Sequence, residues 1–341
     1  MSTLQLPPPR NVFPVKMPYM VRSDMYKLGK TVYGFEEQTL FMVDDEYEKT
    51  IAVVLEMLKT HPDYVRVYVD SELEGLTAAL WEVARCIADD QPHIASYEGG
   101  RFTSKLLGLS LGQDEGIRFD PQSALFPELA TACYTHLQPL SRFHQLCDLL
   151  RLSVQEALVI GRIFPETSDN IMECLMVPLP SKWSPTKKVG LSFAGTHAPI
   201  PGNERLMNAA PRLVEAIMSK GPYVRYNWSL STEELPQDPA INLAMPETYE
   251  ALNHITDYDT LMQSVYLRVE RQTLIAFTEL DRYLFAIHTY MHPLADVLTN
   301  IERKQLMLDV LKSMPADLFA HRGYVKVMIG MLEHNLGEVS D

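Results

Sequence analysis

The stretch VYLRVERQTLIAFTELDRYLFAIHTY, residues 265–290, decides the fold. Its two halves, 265–277 and 282–290, are rich in β-branched and aromatic residues and alternate in character. The four residues TELD between them suffice for a hairpin turn. The alternation is that of a sheet with one wetter face, and the period of two fixes side-chain direction. Arg268 and Glu270 share one face, and Arg271 takes the other.

Upstream, YVRYNWSL (223–230) is a third strand. It is preceded by a helix over 204–220, expected to be N-capped by Asn203, ended by Gly221 and kinked or divided at Pro211. ECLMVPLP from Glu173 is a short strand, and PSKWSPTKKVG (180–190) a loop. The order helix, strand, strand, strand matches the second half of a PAS-type domain.

Further out, Ile51, Val54, Leu55 and Leu58 stand at helical spacing within 46–59. A second helix is expected over 71–89, and two or three more between 125 and 162, so the first half is expected to be mainly helical. Residues 294–336 give two amphipathic segments split near Pro315. With no Gly/Ser linker and no internal repeat, one unit is expected. Its parts are an extended arm (1–20), a mainly helical part (21–165), a PAS-like core (166–294) and C-terminal helices (295–341). The fold class is α+β.

Composition excludes several function classes. The 341 residues are 46% hydrophobic and 22% charged, an ordinary globular makeup. The formal net charge of -14 argues against a nucleic-acid or anionic-membrane surface and allows a cationic substrate or a basic partner. No run of about 18 apolar residues suggests a membrane span. The N-terminus lacks the pattern of a secretory signal, so a cytoplasmic location is expected. Cys86, Cys133, Cys147 and Cys174 stand far apart and read as buried thiols. GxGxxG, Walker A, HExxH and GxSxG patterns are all lacking, which removes the simple nucleotide, zinc-protease and serine-hydrolase readings.

Among ten histidines, His197 stands out, because THAPIPG (196–202) puts it on a proline-stiffened segment entering a helix. Such a segment holds an imidazole still while its other nitrogen is hydrogen-bonded, as an axial heme ligand requires. His288 and His292 lie in a strand and its exit, so they read as structural and not as a helical metal pair.

The segments SVQEALVI (153–160), PSKWSPTKKVG (180–190), THAPIP (196–201), VRYNWSL (224–230), LRVERQTL (267–274) and FAIHTYMHPL (285–294), in this order, resemble the α subunit family of heme-dependent oxidative N-demethylase, also called dimethylamine monooxygenase. Ala157 stands where relatives often carry an acidic residue, and FTELD (277–281) replaces their Leu-Pro turn.

The resemblance implies a PAS-like fold holding heme b and oxidation of dimethylamine or a similar secondary methylamine to the primary amine and formaldehyde. It implies electrons from NADPH through partner subunits carrying FMN and a 2Fe-2S cluster, and a tetrahydrofolate-binding subunit to capture formaldehyde. His197 is carried over as the proximal ligand. Arg225 is expected at a heme propionate or at bound oxygen, since a guanidinium stays charged and donates in a fork. Arg268 and Arg271 are expected near the cofactor or in an ion pair within the sheet, Trp228 and Trp183 in the core or at the heme edge, and Glu72 and Glu74 as partners for a cationic amine. A heme-PAS gas sensor or heme-binding regulatory module is the alternative on the same scaffold.

Overall fold

In the computed structural model, the decisive stretch folds as the hairpin its alternation requires. Strands β12 (Tyr266–Phe277) and β13 (Arg282–Pro293) pair antiparallel from Tyr266 opposite Pro293 to Phe277 opposite Arg282. The turn closes through Thr278–Leu280 and Asp281, whose left-handed φ of 50° suits a short polar side chain. The structure describes residues 4–20, 24–167, 169–180, 183–232, 252–322, 324 and 326–338; parts of the expected arm and of the 180–190 loop lie outside them.

The remaining strands, in chain order, are β1 (Tyr26–Lys27), β2 (Thr31–Val32), β3 (Phe35–Glu36), β4 (Arg66–Tyr68), β5 (Ala95–Glu98), β6 (Arg101–Ser104), β7 (Leu109–Gly112), β8 (Ile117–Phe119), β9 (Ala157–Phe164), β10 (Asp169–Met176) and β11 (Tyr223–Ser231). Seven build one sheet in the order β1-β11-β12-β13-β9-β10-β4, and every pair in it is antiparallel. The class is α+β, as expected. Gly161 in β9 faces Tyr283 across the β9–β13 pair, and an added Cβ would lie 2.1 Å from the Tyr283 ring, so only glycine fits there.

The first half is less helical than its apolar spacing suggested. Helices Tyr47–Thr60, Leu73–Asp90, Pro127–Leu137 and Arg142–Ser153 are present, with Ile51, Val54, Leu55 and Leu58 buried. Between them, however, β5 to β8 form a separate four-stranded meander. Gly99 and Gly100, both at positive φ, make its first hairpin turn. The 153–162 stretch is also no helix beyond Ser153. It becomes β9, because Leu158, Val159 and Ile160 are buried on both faces of a central strand, where no alternation survives.

The helix Glu204–Lys220 runs through Pro211 as a single element. Asn203 stands at its N-cap position but does not cap it. Its amide donates instead to the His197 and Ala198 carbonyls, at 2.6 and 3.3 Å. The C-terminal part splits further than expected, into Leu294–Val297, Ile301–Ser313, Ala316–His321 and Val327–Glu338, with Pro315 at one break. The arm runs extended and buries Val12 and Val15 beside those helices.

One face of the sheet carries two apolar clusters, one with the N-terminal helices and one with the C-terminal helices and the arm. Between them runs a polar seam of Arg271 and His288, which are cross-strand partners. His288 is 1% exposed, with Nε2 3.3 Å from Asp44 and Nδ1 3.3 Å from Glu156. Burial alone would depress its pKa, but the two carboxylates outweigh it and push it up to about 9. For Asp44, burial pushes upward and the His288 contact outweighs it, giving a lowered pKa.

A histidine raised in the folded state contributes stability in full below its unfolded value of 6.5, and loses it as pH rises through about 9. Asp44 contributes above its ordinary 3.8 and loses that contribution in acid. We therefore expect the difference in denaturant midpoint between wild type and His288→Asn to be largest below pH 6.5 and to shrink towards pH 9. A difference that grows across that interval in urea titrations would sink the assignment.

Candidate functional site

The opposite face of the sheet is covered by the helices Phe193–His197 and Glu204–Lys220, and between sheet and cover lies a cavity of about 570 Å³. That volume is within the range of cofactor and small-molecule sites. The β-register decides which side chains it receives. Arg225 and Asn227 of β11, Arg268, Glu270 and Gln272 of β12, Phe285, Ile287 and Thr289 of β13, and Ala157 and Val159 of β9 all line it. Its wall is consequently polar at β11–β12 and apolar towards β9–β10, where Met172, Leu175, Val177 and Trp183 gather around Val159.

His197 ends a five-residue helix that is tied down at several points. Ser192 caps it by accepting from the Gly195 amide at 3.0 Å, and the Phe193 amide donates to Asn170 of β10 at 2.7 Å. The imidazole Nδ1 lies 2.7 Å from the Phe193 carbonyl. A carbonyl only accepts, so Nδ1 carries the proton and Nε2 holds the lone pair. Burial depresses the His197 pKa most, the Phe193 carbonyl raises it, and the charges of Arg225 and Lys188 push it down again. The net lowering keeps the ring neutral, the form a metal ion needs.

Glu270 is the best-held carboxylate of the cavity. Arg268 donates to its Oε1 through Nε and Nη2 at 3.1 and 3.0 Å, and Gln272 donates to its Oε2 at 2.8 Å. Arg268 Nη2 also reaches the Leu179 carbonyl and Thr289 Oγ1. Arg225 is half-buried, and its desolvation lowers its pKa, with Glu270 and Asp24 acting in the opposite sense. The rim comes from both ends of the chain: Tyr19, Met20, Asp24 and Met25 of the N-terminal segment, and His321 and Arg322.

Of the residues singled out in the sequence, His197, Arg225, Arg268 and Trp183 come together at this cavity. Trp228 touches its edge but packs chiefly in the C-terminal core, edge-on to Tyr19 with ring centroids 5.5 Å apart. Three residues lie elsewhere. Arg271 faces the seam, bonded to Glu37 at 2.7 Å, because its odd position in β12 points it away from the cavity. Glu72 is held by Arg162 and Arg282, beside Glu173, and Glu74 is exposed in the first turn of its helix. Neither lines the cavity, so among the described residues the carboxylates there are Asp24 and Glu270.

Glu270 had a signal in the period-two alternation with Arg268, but Gln272 and Arg322 carried none that singles them out. Among the described residues, no group of three or more His, Cys, Asp or Glu could hold a bare metal ion, and no helix is long and apolar enough to cross a membrane.

The cavity thus joins the neutral imidazole of His197 to an apolar end and to an end rich in guanidinium groups. The chain belongs to the family described as Haem-dependent oxidative N-demethylase, alpha subunit-like, whose family model matches residues 32–329. That span includes His197, Arg225, Arg268, Glu270 and Arg322, and leaves out the N-terminal segment of the rim.

The His197 tautomer is directly testable. Nitrogen-15 NMR of the protein without added ligand should show the Nδ1–H form, titrating below 6.5. A proton on Nε2 at neutral pH would overturn the reading.

Proposed function

We propose that this chain is the heme-binding subunit of an oxidative N-demethylase, with heme b in the cavity and His197 as its proximal ligand. The observation that carries the reading is the hydrogen bond from His197 Nδ1 to the Phe193 carbonyl, which leaves Nε2 as a neutral donor at the cavity. The strand order supports a PAS-like core. A hairpin (β9–β10) leads into covering helices and then a three-strand meander (β11–β12–β13), whose last strand returns beside the first.

The lining suits the group. Phe285, Ile287 and Val159 offer an apolar surface to a macrocycle, Arg225 offers a guanidinium fork to a propionate, and Arg268, paired with Glu270, borders the cofactor. When bound, heme supplies the activation of O2 and the oxidation of an N-methyl group that ends in formaldehyde and a primary amine. The protein's own residues supply binding and charge. Glu270, oriented by Arg268 and Gln272, accepts an N–H from a secondary methylammonium ion, of which dimethylammonium is the simplest. The apolar wall excludes water, which strengthens that pairing. Arg225 adds a fixed positive charge beside Glu270.

Electron supply from NADPH through partner subunits carrying FMN and 2Fe-2S, a tetrahydrofolate-binding subunit for formaldehyde, and a cytoplasmic location belong to the same proposal. The words "alpha subunit" in the family description support the multi-subunit part.

The purified protein supplied with heme should show a Soret band, and His197→Ala should lose heme or hold it weakly while staying folded. Full heme content with an unchanged iron spectrum in that variant would remove His197 from the role. Arg225→Gln should keep heme and release formaldehyde at least about tenfold more slowly with reductase in excess, the loss expected for one preorganised charge-stabilising donor. Wild-type turnover would exclude a catalytic Arg225, and loss of heme would move it to the propionates.

A further inference from the structure

The chain carries a formal charge of -14, yet among the described residues seven lysine and arginine side chains line the cavity against two carboxylates, Asp24 and Glu270. Arg268 spends its charge on Glu270, and Lys16 lies 3.9 Å from Asp24. Arg151 donates to the Val154 and Gln155 carbonyls at the end of its own helix. Arg322 differs from these. Its Nη2 donates to the Tyr19 hydroxyl at 3.0 Å, a neutral partner, and its Nε is buried with no hydrogen bond. Among the described residues it forms no ion pair, whereas the buried Arg66, Arg268, Arg271 and Arg282 each hold a carboxylate.

Arg322 is partly desolvated and feels the charge of Glu270 only from beyond ion-pair distance, so a carboxylate in direct contact would compensate it better, and its planar fork matches one. We propose that Arg322, held by Tyr19, is a carboxylate-binding residue of the cavity. Two molecules present this chemistry there: a heme propionate and a substrate that carries its own carboxylate. Between candidate substrates, the charge balance favours one that carries a carboxylate. A bare dialkylammonium ion adds a further cation to a cationic chamber, whereas an N-methylated amino acid is neutral overall. Its ammonium pairs with Glu270 and its carboxylate with Arg322. This assignment deepens the demethylase reading by naming a substrate class, and its substrate arm does not require heme.

Two measurements on the full chain test it, each with wild type, Arg322→Gln, Arg322→Lys and Tyr19→Phe. In the first, calorimetry follows N-methylglycine and dimethylammonium binding, with and without heme. In the second, heme affinity is compared with that of heme dimethyl ester, whose propionates carry no charge.

If the substrate supplies the carboxylate, Arg322→Gln weakens N-methylglycine about tenfold or more, the range for one charge-assisted pair, and leaves dimethylammonium unchanged. Arg322→Lys then recovers part of the loss, and Tyr19→Phe gives a smaller one. If a propionate supplies it, Arg322→Gln weakens heme but not the dimethyl ester. Unchanged affinity for both N-methylglycine and heme in a folded Arg322→Gln protein overturns the proposal. Should wild type bind N-methylglycine through Arg322 yet take up no heme, the carboxylate site stands and the heme reading falls.

Discussion

The ion pair between Arg271 and Glu37 has no exposure to solvent at either side chain, and the rest of the structure is referred to it. Arg271 sits in the middle of β12 and donates also to the Leu40 carbonyl at 3.1 Å, while Thr273 donates to the same oxygen at 2.9 Å. Glu37 in turn accepts from Arg10 and from the Tyr226 hydroxyl. The segment from 37 to 44 is thereby strapped across the sheet between the two apolar clusters. An ion pair so deep gains little over a packed apolar pair, since desolvation offsets most of the attraction. Losing one partner is different, because the other is then left buried and charged, at a cost of roughly 3–5 kcal/mol. The pair is thus a constraint on arrangement more than a source of net stability.

What it constrains is register. A strand that slips by one residue turns every side chain to the other face. A slipped β12 would carry Arg271 into the cavity and turn Arg268, Glu270 and Gln272 towards the seam, where Glu37 and Asp44 already supply negative charge. Two arginines would change places, and Glu270 would meet like charges. The seam on one face and the polar wall on the other are therefore one specification, written in alternate positions of RVERQT (268–273). His288, opposite Arg271, repeats the device on β13 with Asp44 and Glu156.

This explains which parts of the molecule were legible in the sequence. The β12–β13 hairpin, the opposed faces of Arg268 and Arg271, and the helix over 204–220 follow from local periodicity and needed nothing distant. Strand β9 hid because a central strand buried on both faces has no alternation to read. The β5–β8 meander was announced by Gly99-Gly100 between alternating residues, a turn signal outweighed by the helices on either side. Asn203 was a sound choice of N-cap on type alone, but the nearby His197 carbonyl competes for its amide. Glu72 and Glu74 suggested amine partners only through their charge; two arginines on other strands claim Glu72, and solvent claims Glu74.

The cavity draws on three scales of order, and they differ in how they tolerate change. The His197 tautomer is set within five residues by the Phe193 carbonyl, so it needs little from the rest of the fold. The Arg268–Glu270–Gln272 wall needs the register of the whole sheet. The rim needs the chain's two ends to meet, through Tyr19 with Arg322 and the Tyr19 amide with Ser313 at 3.0 Å. The first two lie wholly inside the family-matched span, whereas Tyr19 lies outside it and Arg322 inside. The imidazole orientation therefore depends on a few neighbouring residues and the charged wall on the sheet, whereas the rim depends on a hydroxyl–guanidinium contact between segments 303 residues apart, so a change at Tyr19 opens the mouth without disturbing the imidazole or Glu270 within.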